Sequence, residues 1–96
     1  MYARVTRSKV PLDRIDAAIA WFEGRLPQMR ELEGFRGALE LVDRQSGEGL
    51  TVTFWESADA RERSEAAAAG IRSEGETEQA FEVLGVERYE VAVNAL

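Results

Sequence analysis

The sequence contains no cysteine and no histidine. The first absence excludes disulfide bonds, and the second removes the commonest metal ligand and the commonest general base of enzymes. A chain of 96 residues buries only about two thirds of its surface, and such small domains usually need a disulfide, a metal or a partner subunit. We therefore expect a partner subunit, and we expect neither a metal nor a cofactor.

Long apolar runs are also missing, since no segment approaches the ~20 apolar residues that span a bilayer. The formal net charge is −6 and the isoelectric point is about 4.7, which disfavours binding to nucleic acid or to an anionic membrane surface. Residues 1–5 contain no apolar stretch typical of a signal peptide. We expect a single cytoplasmic domain over residues 1–96 that binds neither nucleic acid nor membranes.

Alternation of β-forming and polar residues predicts four strands. They cover residues 2–9, 35–43, 50–56 and 86–94. The segment 45–49 (QSGEG) between the second and third strands has the composition of a hairpin turn.

Apolar residues at spacings of three and four predict a first helix that begins near Pro11. Pro27 should kink or break this helix, and Gly34 is expected to end it. A second helix is expected from residue 58 to about 72, with Ser57 as its N-cap. Residues 73–77 are predicted to form a loop and residues 78–84 a short helical turn.

The element order is βαββαβ, which predicts an α+β, ferredoxin-like fold with a four-stranded antiparallel sheet and two helices on one face. The other face would then expose four apolar or aromatic residues: Tyr2, Ala38, Val42 and Trp55. An exposed apolar sheet face of this kind is typical of an interface. We expect two such sheets to pack together in a homodimer.

Four charged residues fall on the same predicted face: Arg4, Glu40, Arg88 and Glu90. They could bind a polar ligand in the dimer interior. Because buried charges need partners and two of each sign are available, pairing among themselves is the favoured interpretation.

Three segments resemble the antibiotic-biosynthesis monooxygenase family of dimeric α/β-barrel proteins. They are residues 33–37 (EGFRG), 50–57 (LTVTFWES) and 88–91 (RYEV). The resemblance implies a homodimer of ferredoxin-like domains that pair into a barrel. It also implies one of two activities, the oxidative degradation of heme or the cofactor-free oxidation of aromatic polyketides.

The site of the heme-degrading members is not matched. Their Asn, Trp and His correspond to Arg7, Ser64 and Glu74, and we therefore reject this activity. In the polyketide oxidases the resemblance implies a Trp, an Asn and a Tyr, and the corresponding residues are Trp55, Thr51 and Arg61. Trp55 and Thr51 are the candidate catalytic residues, although Trp55 is more often a core residue at such a position.

A ligand pocket is expected between the sheet and the first helix, because a helix bent at Pro27 cannot lie flat on a twisted sheet. Its expected lining residues are Phe22, Leu26, Met29 and Phe54.

The resemblance and the expected pocket lead to two hypotheses for the function. One is a cofactor-independent monooxygenase or oxidase acting on an aromatic, polyketide-like small molecule. The alternative is a non-catalytic small-molecule-binding or stress-related dimeric α/β-barrel protein.

Overall fold

The computed structural model describes residues 1–96. A short 3-10 helix, Leu12–Arg14, leads into the first helical segment, and each of the two helical segments is divided in two. The elements are β1 (Tyr2–Lys9), α1 (Ile15–Glu23), α2 (Leu26–Arg30), β2 (Phe35–Val42), β3 (Glu48–Trp55), α3 (Ala58–Arg63), α4 (Glu65–Glu78) and β4 (Glu82–Glu90).

The four strands form one antiparallel sheet in the order β2-β3-β1-β4. The predicted α+β, ferredoxin-like fold with its βαββαβ order is thereby confirmed. Strand β1 lies in the interior of the sheet, and its residue Arg4 pairs with Thr53 on β3 and with Arg88 on β4. Residues that share such a cross-strand row point to the same face of the sheet.

The first helical segment is broken, as Pro27 predicts. Helix α1 ends at Glu23, and α2 begins at Leu26 with the proline in its first turn, where the missing amide is harmless. Gly34 does not cap α2 directly, because that helix ends at Arg30. It lies instead in the turn before β2 with φ +80°, and a Cβ there would lie 2.4 Å from that of Ala60.

The predicted loop at residues 73–77 and helical turn at residues 78–84 were wrong, whereas the last strand was predicted correctly over residues 86–90. Helix α4 continues to Glu78 through the expected loop, and β4 covers Glu82–Glu90 instead of residues 86–94. The polar, glycine-containing stretch looked like a loop, but Gly75 makes room for the ring of Phe81. Ser57 does cap α3, since its hydroxyl accepts a hydrogen bond of 3.0 Å from the Ala60 amide.

The two faces of the sheet were assigned the wrong way round. Tyr2, Ala38, Val42 and Trp55 share one face, but that face is the one the helices cover: Ala38 packs against the helical core, and Trp55 is 1% exposed. Strict alternation shows which residues share a face, yet it does not show which face receives the helices. The more apolar face was expected to lie under the helices. This expectation was wrong because the covered face carries several polar side chains.

The uncovered face is the more apolar one. It carries Val5 on β1, Leu39 and Leu41 on β2, and Val52 and Phe54 on β3, since these residues follow the opposite alternation. Leu39 and Leu41 are 39% and 49% exposed. Only 13 of the 96 residues are buried, so the single chain has a small core, and the apolar face is the surface on which a second copy would add to it.

We predict that Leu39→Glu abolishes self-association. A charge placed in the middle of an apolar interface is desolvated without a partner, which costs several kcal/mol. Sedimentation equilibrium at micromolar concentration should give a dimer for the wild type and a monomer for the variant. Leu12→Glu is the control, because Leu12 is 58% exposed and lies on the helical side. A monomeric wild type contradicts the expected homodimer.

A second prediction concerns the two glycines of α4. A Cβ on Gly75 would lie 1.9 Å from Phe81 Cζ, whereas a Cβ on Gly70 meets nothing within 4 Å. Gly75→Ala should destabilise the fold by about 1–3 kcal/mol through overpacking. Gly70→Ala should stabilise it by about 0.5–1 kcal/mol through helix propensity. Urea denaturation measures both, and equal effects of the two substitutions would contradict the packing of Phe81 on Gly75.

Candidate functional site

The layer between the sheet and the helices is polar on its sheet side. Arg4 and Thr6 on β1 and Thr53 on β3 are buried there, at 3%, 8% and 4% exposure, and Thr51 and Glu40 share the same face. Threonine suits a strand because its branched side chain packs well on a pleated surface. The helices contribute the apolar part of this layer, through Phe22, Met29 and Ile71.

Two small cavities lie in this layer, with volumes of about 50 and 60 Å³. Five residues line both of them: Ser8, Trp21, Phe22, Thr51 and Phe81. The first cavity, which we call the acid cavity, is also lined by Glu40 and the apolar side of α1. The second, which we call the arginine cavity, is also lined by Arg4, Arg72 and Met29.

Glu40 is the titratable group of the acid cavity. Burial raises the pKa of its carboxyl to about 7, and a hydrogen bond of 2.8 Å from Thr51 Oγ1 to Oε2 opposes this shift. A buried carboxyl group resists ionisation because the interior solvates a charge poorly. Glu40 is therefore partly protonated near neutrality, which is the state in which a carboxyl group can both accept and donate protons.

Arginine side chains surround one carboxylate beside the arginine cavity. Arg4 Nε lies 2.9 Å from Glu65 Oε2, an ion pair whose alignment is too poor for a hydrogen bond, and Arg72 donates to Glu65 Oε1 at 2.6 Å. Arg88 is 3.4 Å from the same carboxylate. Burial raises the pKa of Glu65, but these arginines outweigh it and the pKa is lowered. Because Arg88 also pairs with Glu62 at 3.6 Å, Arg4 and Arg72 share Glu65 as their common partner, and this pair of arginines keeps a net positive charge.

Hydrogen bonds hold the side chain of Arg4 in addition to its ion pair with Glu65. Its Nη2 donates to the Arg61 carbonyl at 2.7 Å and to Ser64 Oγ at 2.9 Å, so it binds the junction at which α3 ends and α4 begins. By contrast, Arg72 Nη1 is buried and has no hydrogen-bond partner. An unpaired buried donor is costly, and a negatively charged ligand group in the arginine cavity would satisfy it.

Trp21 forms a wall common to both cavities and is fixed by three contacts. Its Nε1 donates to Glu78 Oε2 at 2.6 Å, and the guanidinium of Arg25 lies 4.6 Å from its ring centroid. Phe81 meets it edge to face at 5.6 Å. Arg25 also pairs with Glu74 and Glu78, at 3.1 Å each, so the acidic run of α4 holds this wall in place.

The structure brings only part of the predicted pocket together. Phe22 and Met29 line the cavities between sheet and helices, in the layer where the pocket was expected. Leu26 packs against the same core but lines neither cavity. Phe54 lies on the opposite face of the sheet, because it alternates with the buried Thr53 and Trp55.

The two candidate catalytic residues have different surroundings. Thr51 lines both cavities. Trp55 lines neither, and its ring is enclosed by Phe35 at 5.5 Å and by the Arg4 guanidinium at 5.6 Å. Its Nε1 donates to Thr53 Oγ1 at 3.0 Å. Trp55 thus has the contacts of a core residue, and any effect on a ligand would pass through Arg4 or Thr53.

The expected pairing among charged strand residues is also wrong. Arg4 and Arg88 pair with Glu65 on α4, while Glu40 bonds to Thr51. Glu40 was considered only as one member of this charged group, and Arg72 was missed as a site residue. Glu40 could have been found from its position between two leucines on a strand, where an acid is unusual. Arg72 and Phe81 carried no such signal, because their approach depends on the length of α4.

The residues at the positions of the heme-degrading site do not converge. Arg7 lies on the uncovered face and pairs with Glu87, Ser64 binds Arg4, and Glu74 pairs with Arg25. No group of three or more acidic residues has the geometry of a metal site. None of the helices has the length and apolarity needed to cross a membrane.

The fold is that of the antibiotic biosynthesis monooxygenases. A proposed member from Deinococcus radiodurans superimposes with a TM-score of 0.74 and 17% identity, over 100% of this chain and 99% of that one. The heme degrader MhuD from Mycobacterium tuberculosis, solved with two hemes in its active site, gives a TM-score of 0.71 and 19% identity, over 99% of both chains. The expected resemblance is confirmed at the level of the fold.

Among curated proteins, the chain matches two uncharacterized proteins of Mycobacterium tuberculosis, MT2634 and Rv2557. Each is 34% identical over 91 residues, which cover 94% of this chain and 41% of the relative. The chain thus spans less than half the length of these relatives. No protein-family model matches the sequence.

We predict that Glu40 makes stability depend on pH in a defined direction. Its pKa is about 7 in the folded protein and lower in the unfolded chain, so the proton stabilises the fold below about pH 4.5 and this stabilisation is lost as the pH rises through 7. Glu40→Gln cannot ionise. Its stability relative to the wild type should therefore rise by about 1–3 kcal/mol between those pH values.

Denaturant unfolding at a series of pH values measures this difference, and Glu48→Gln controls for the loss of an exposed carboxylate. A difference between wild type and Glu40→Gln that stays constant with pH, or that falls as the pH rises, would contradict the burial of this carboxyl.

Proposed function

We propose that the chain is a cofactor-independent monooxygenase or oxidase that acts on an aromatic small molecule able to ionise. One observation carries the proposal: the space between sheet and helices has aromatic walls, from Trp21, Phe22 and Phe81, and a few polar groups placed inside it. Enclosed, mostly apolar sites with a small number of fixed polar groups are typical of small-molecule binding. The fold shared with monooxygenases supports the same choice.

Oxidation of such a substrate by O₂ requires the protein only to position the substrate and to exclude water. A hydroquinone gives up two electrons and two protons in total, one of the protons when it ionises, and O₂ takes them up, so that a quinone and hydrogen peroxide form. An anthrone instead takes up one oxygen atom as a carbonyl, and the other leaves as water. In both cases the substrate supplies the electrons, and the protein lowers the barrier by holding the substrate in a dry, oriented state.

The size of the site favours a small substrate. The two cavities, of about 50 and 60 Å³, are each smaller than the engineered cavity of about 150 Å³ that binds benzene in another protein. A single ring would need both cavities together, joined by a small displacement of the wall they share. Three fused rings would need a larger rearrangement. We therefore propose a one-ring substrate in place of a polyketide of several rings.

Of the two candidate catalytic residues, Thr51 is the one that a ligand would contact, because it lines both cavities. Trp55 would act as a positioning residue through the hydrogen bond to Thr53 and the contact with Arg4. The enclosed position of Trp55 is the observation that favours the alternative, a non-catalytic small-molecule-binding protein on the same fold, because the tryptophan implied by the family resemblance has no access to a ligand here.

The proposal predicts that filling the arginine cavity abolishes oxygen uptake. Ala68 lines this cavity on α4, and Ala68→Leu would occupy it. With purified protein, chelator and a methylated hydroquinone, uptake above the uncatalysed rate should fall at least about tenfold in the variant, equivalent to the loss of about 1.4 kcal/mol of transition-state binding. Ala69→Leu is the matched control, since Ala69 is exposed on the same helix.

The alternative function predicts a different pattern. A binding protein shows no excess uptake, but its melting temperature rises with the same hydroquinone and this rise is lost in Ala68→Leu. If neither uptake nor a melting shift occurs with one-ring or three-ring compounds, the proposed substrate class is wrong. Equal losses of uptake in Ala68→Leu and Ala69→Leu would show that the cavity is not the site.

A further inference from the structure

We propose that Glu40 is the proton acceptor of this site, and that it ionises a hydroxyl group on an aromatic ligand while Arg4 and Arg72 stabilise the anion that forms. The inference rests on the proposed function in one respect, because it places an ionisable aromatic ligand in the same space. It requires no oxidation, and it can therefore hold or fail separately.

The geometry around Glu40 fixes one carboxyl oxygen and leaves the other available. Oε2 accepts the 2.8 Å hydrogen bond from Thr51 Oγ1. Oε1 has no hydrogen-bond partner in the protein and is not fully buried. A carboxylate held on one side by a neutral donor keeps its second oxygen for a proton from a ligand. The hydroxyl of Thr51 is thus a positioning group, and it stands on the wall that both cavities share.

The charges around the site are distributed unequally. Glu40 is the only charged residue among those that line the acid cavity: α1 provides Ile15, Ala18, Ile19, Trp21 and Phe22, and β1 and β3 provide Ser8, Gly49 and Thr51. In the arginine cavity, the charged groups are Arg4 on β1 and Arg72 on α4, with Glu65 as their common partner.

A ligand that spans both cavities would therefore have a proton acceptor at one end and positive charge at the other. An opposite charge nearby favours the ionised form of an acid. In a phenol with a conjugated carbonyl opposite its hydroxyl, part of the phenolate charge lies on that carbonyl, and the two guanidinium groups at that end of the ligand therefore lower the pKa of the hydroxyl. The unpaired Nη1 of Arg72 supplies a donor for the anion. Burial keeps the pKa of Glu40 about 7, which suits a base that works at neutral pH.

The proposed step balances without a further reactant. The O–H bond of the ligand breaks, its electron pair stays on the ligand oxygen, and the proton forms a new O–H bond with Glu40. The complex keeps the same total charge and releases no proton to the solvent. When the ligand leaves as a neutral phenol, the proton leaves with it. Substrates are thus expected among hydroxylated single rings, and rings without an acidic hydrogen are excluded.

Binding of 4-hydroxyacetophenone tests the proposal, because its phenolate absorbs at a longer wavelength than its phenol. At a pH just above that at which Glu40 titrates, about 7, the wild type should convert bound phenol into phenolate without releasing protons to a dilute indicator. In Glu40→Gln the phenolate signal should fall by about tenfold, which corresponds to one unit of pKa. Glu40→Asp, which keeps the acid, should restore part of it. Glu48→Gln should behave as the wild type.

Three results would overturn the proposal: an undiminished phenolate signal in Glu40→Gln, release of one proton per ligand by the wild type, or no binding of the phenol by the wild type. Circular dichroism checks that each variant is folded. The proposed function fails independently, if the wild type ionises the phenol but takes up no oxygen with hydroquinones.

Discussion

The burial of Arg4 on the central strand organises this molecule. A guanidinium group that is 3% exposed must have its charge and its donors satisfied inside the protein. Glu65 pairs with its charge, and Ser64 and the carbonyl of Arg61 accept hydrogen bonds from its Nη2. All three partners lie where α3 meets α4. The break between these helices is therefore tied to the sheet at its centre. A sheet face that has to accommodate such a group cannot form a tightly packed apolar core.

The two faces of the sheet follow from this constraint. Because the covered face carries Arg4, Thr6, Thr53 and Glu40, the helices rest on polar side chains, and small cavities remain between the layers. Val5, Leu39, Leu41, Val52 and Phe54 occupy the other face. Polar and apolar residues alternate along the strands. This alternation gives both the polar interior that a ligand could use and the apolar outer face that a second copy could cover.

The sequence predicted what depends on local pattern. Strands β1 to β3, the N-cap at Ser57 and the helix break near Pro27 each have a signal within a few residues. The covered face could not be predicted, because that choice depends on how Arg4 is paired by a helix about sixty residues away. Helix α4 was cut short for a similar reason: Gly75 looked like a helix breaker until Phe81 was seen to fill its place. In the site, Phe22 and Glu40, an acid between two leucines on a strand, have a signal in the sequence, whereas the role of Arg72 depends on tertiary contacts alone.

The position of β1 also has a consequence for how the chain folds. This strand lies near the start of the described chain, and its two neighbours in the sheet are β3 and β4, so that Tyr2 pairs with Trp55 on one side and with Glu90 on the other. Loops that close contacts over long separations slow the folding of a domain. During synthesis, β1 emerges before both of its neighbours, and its edge towards β4 has no partner until Glu90 has emerged. The edge of β1 that faces β4 is thus the last edge inside the sheet to be paired.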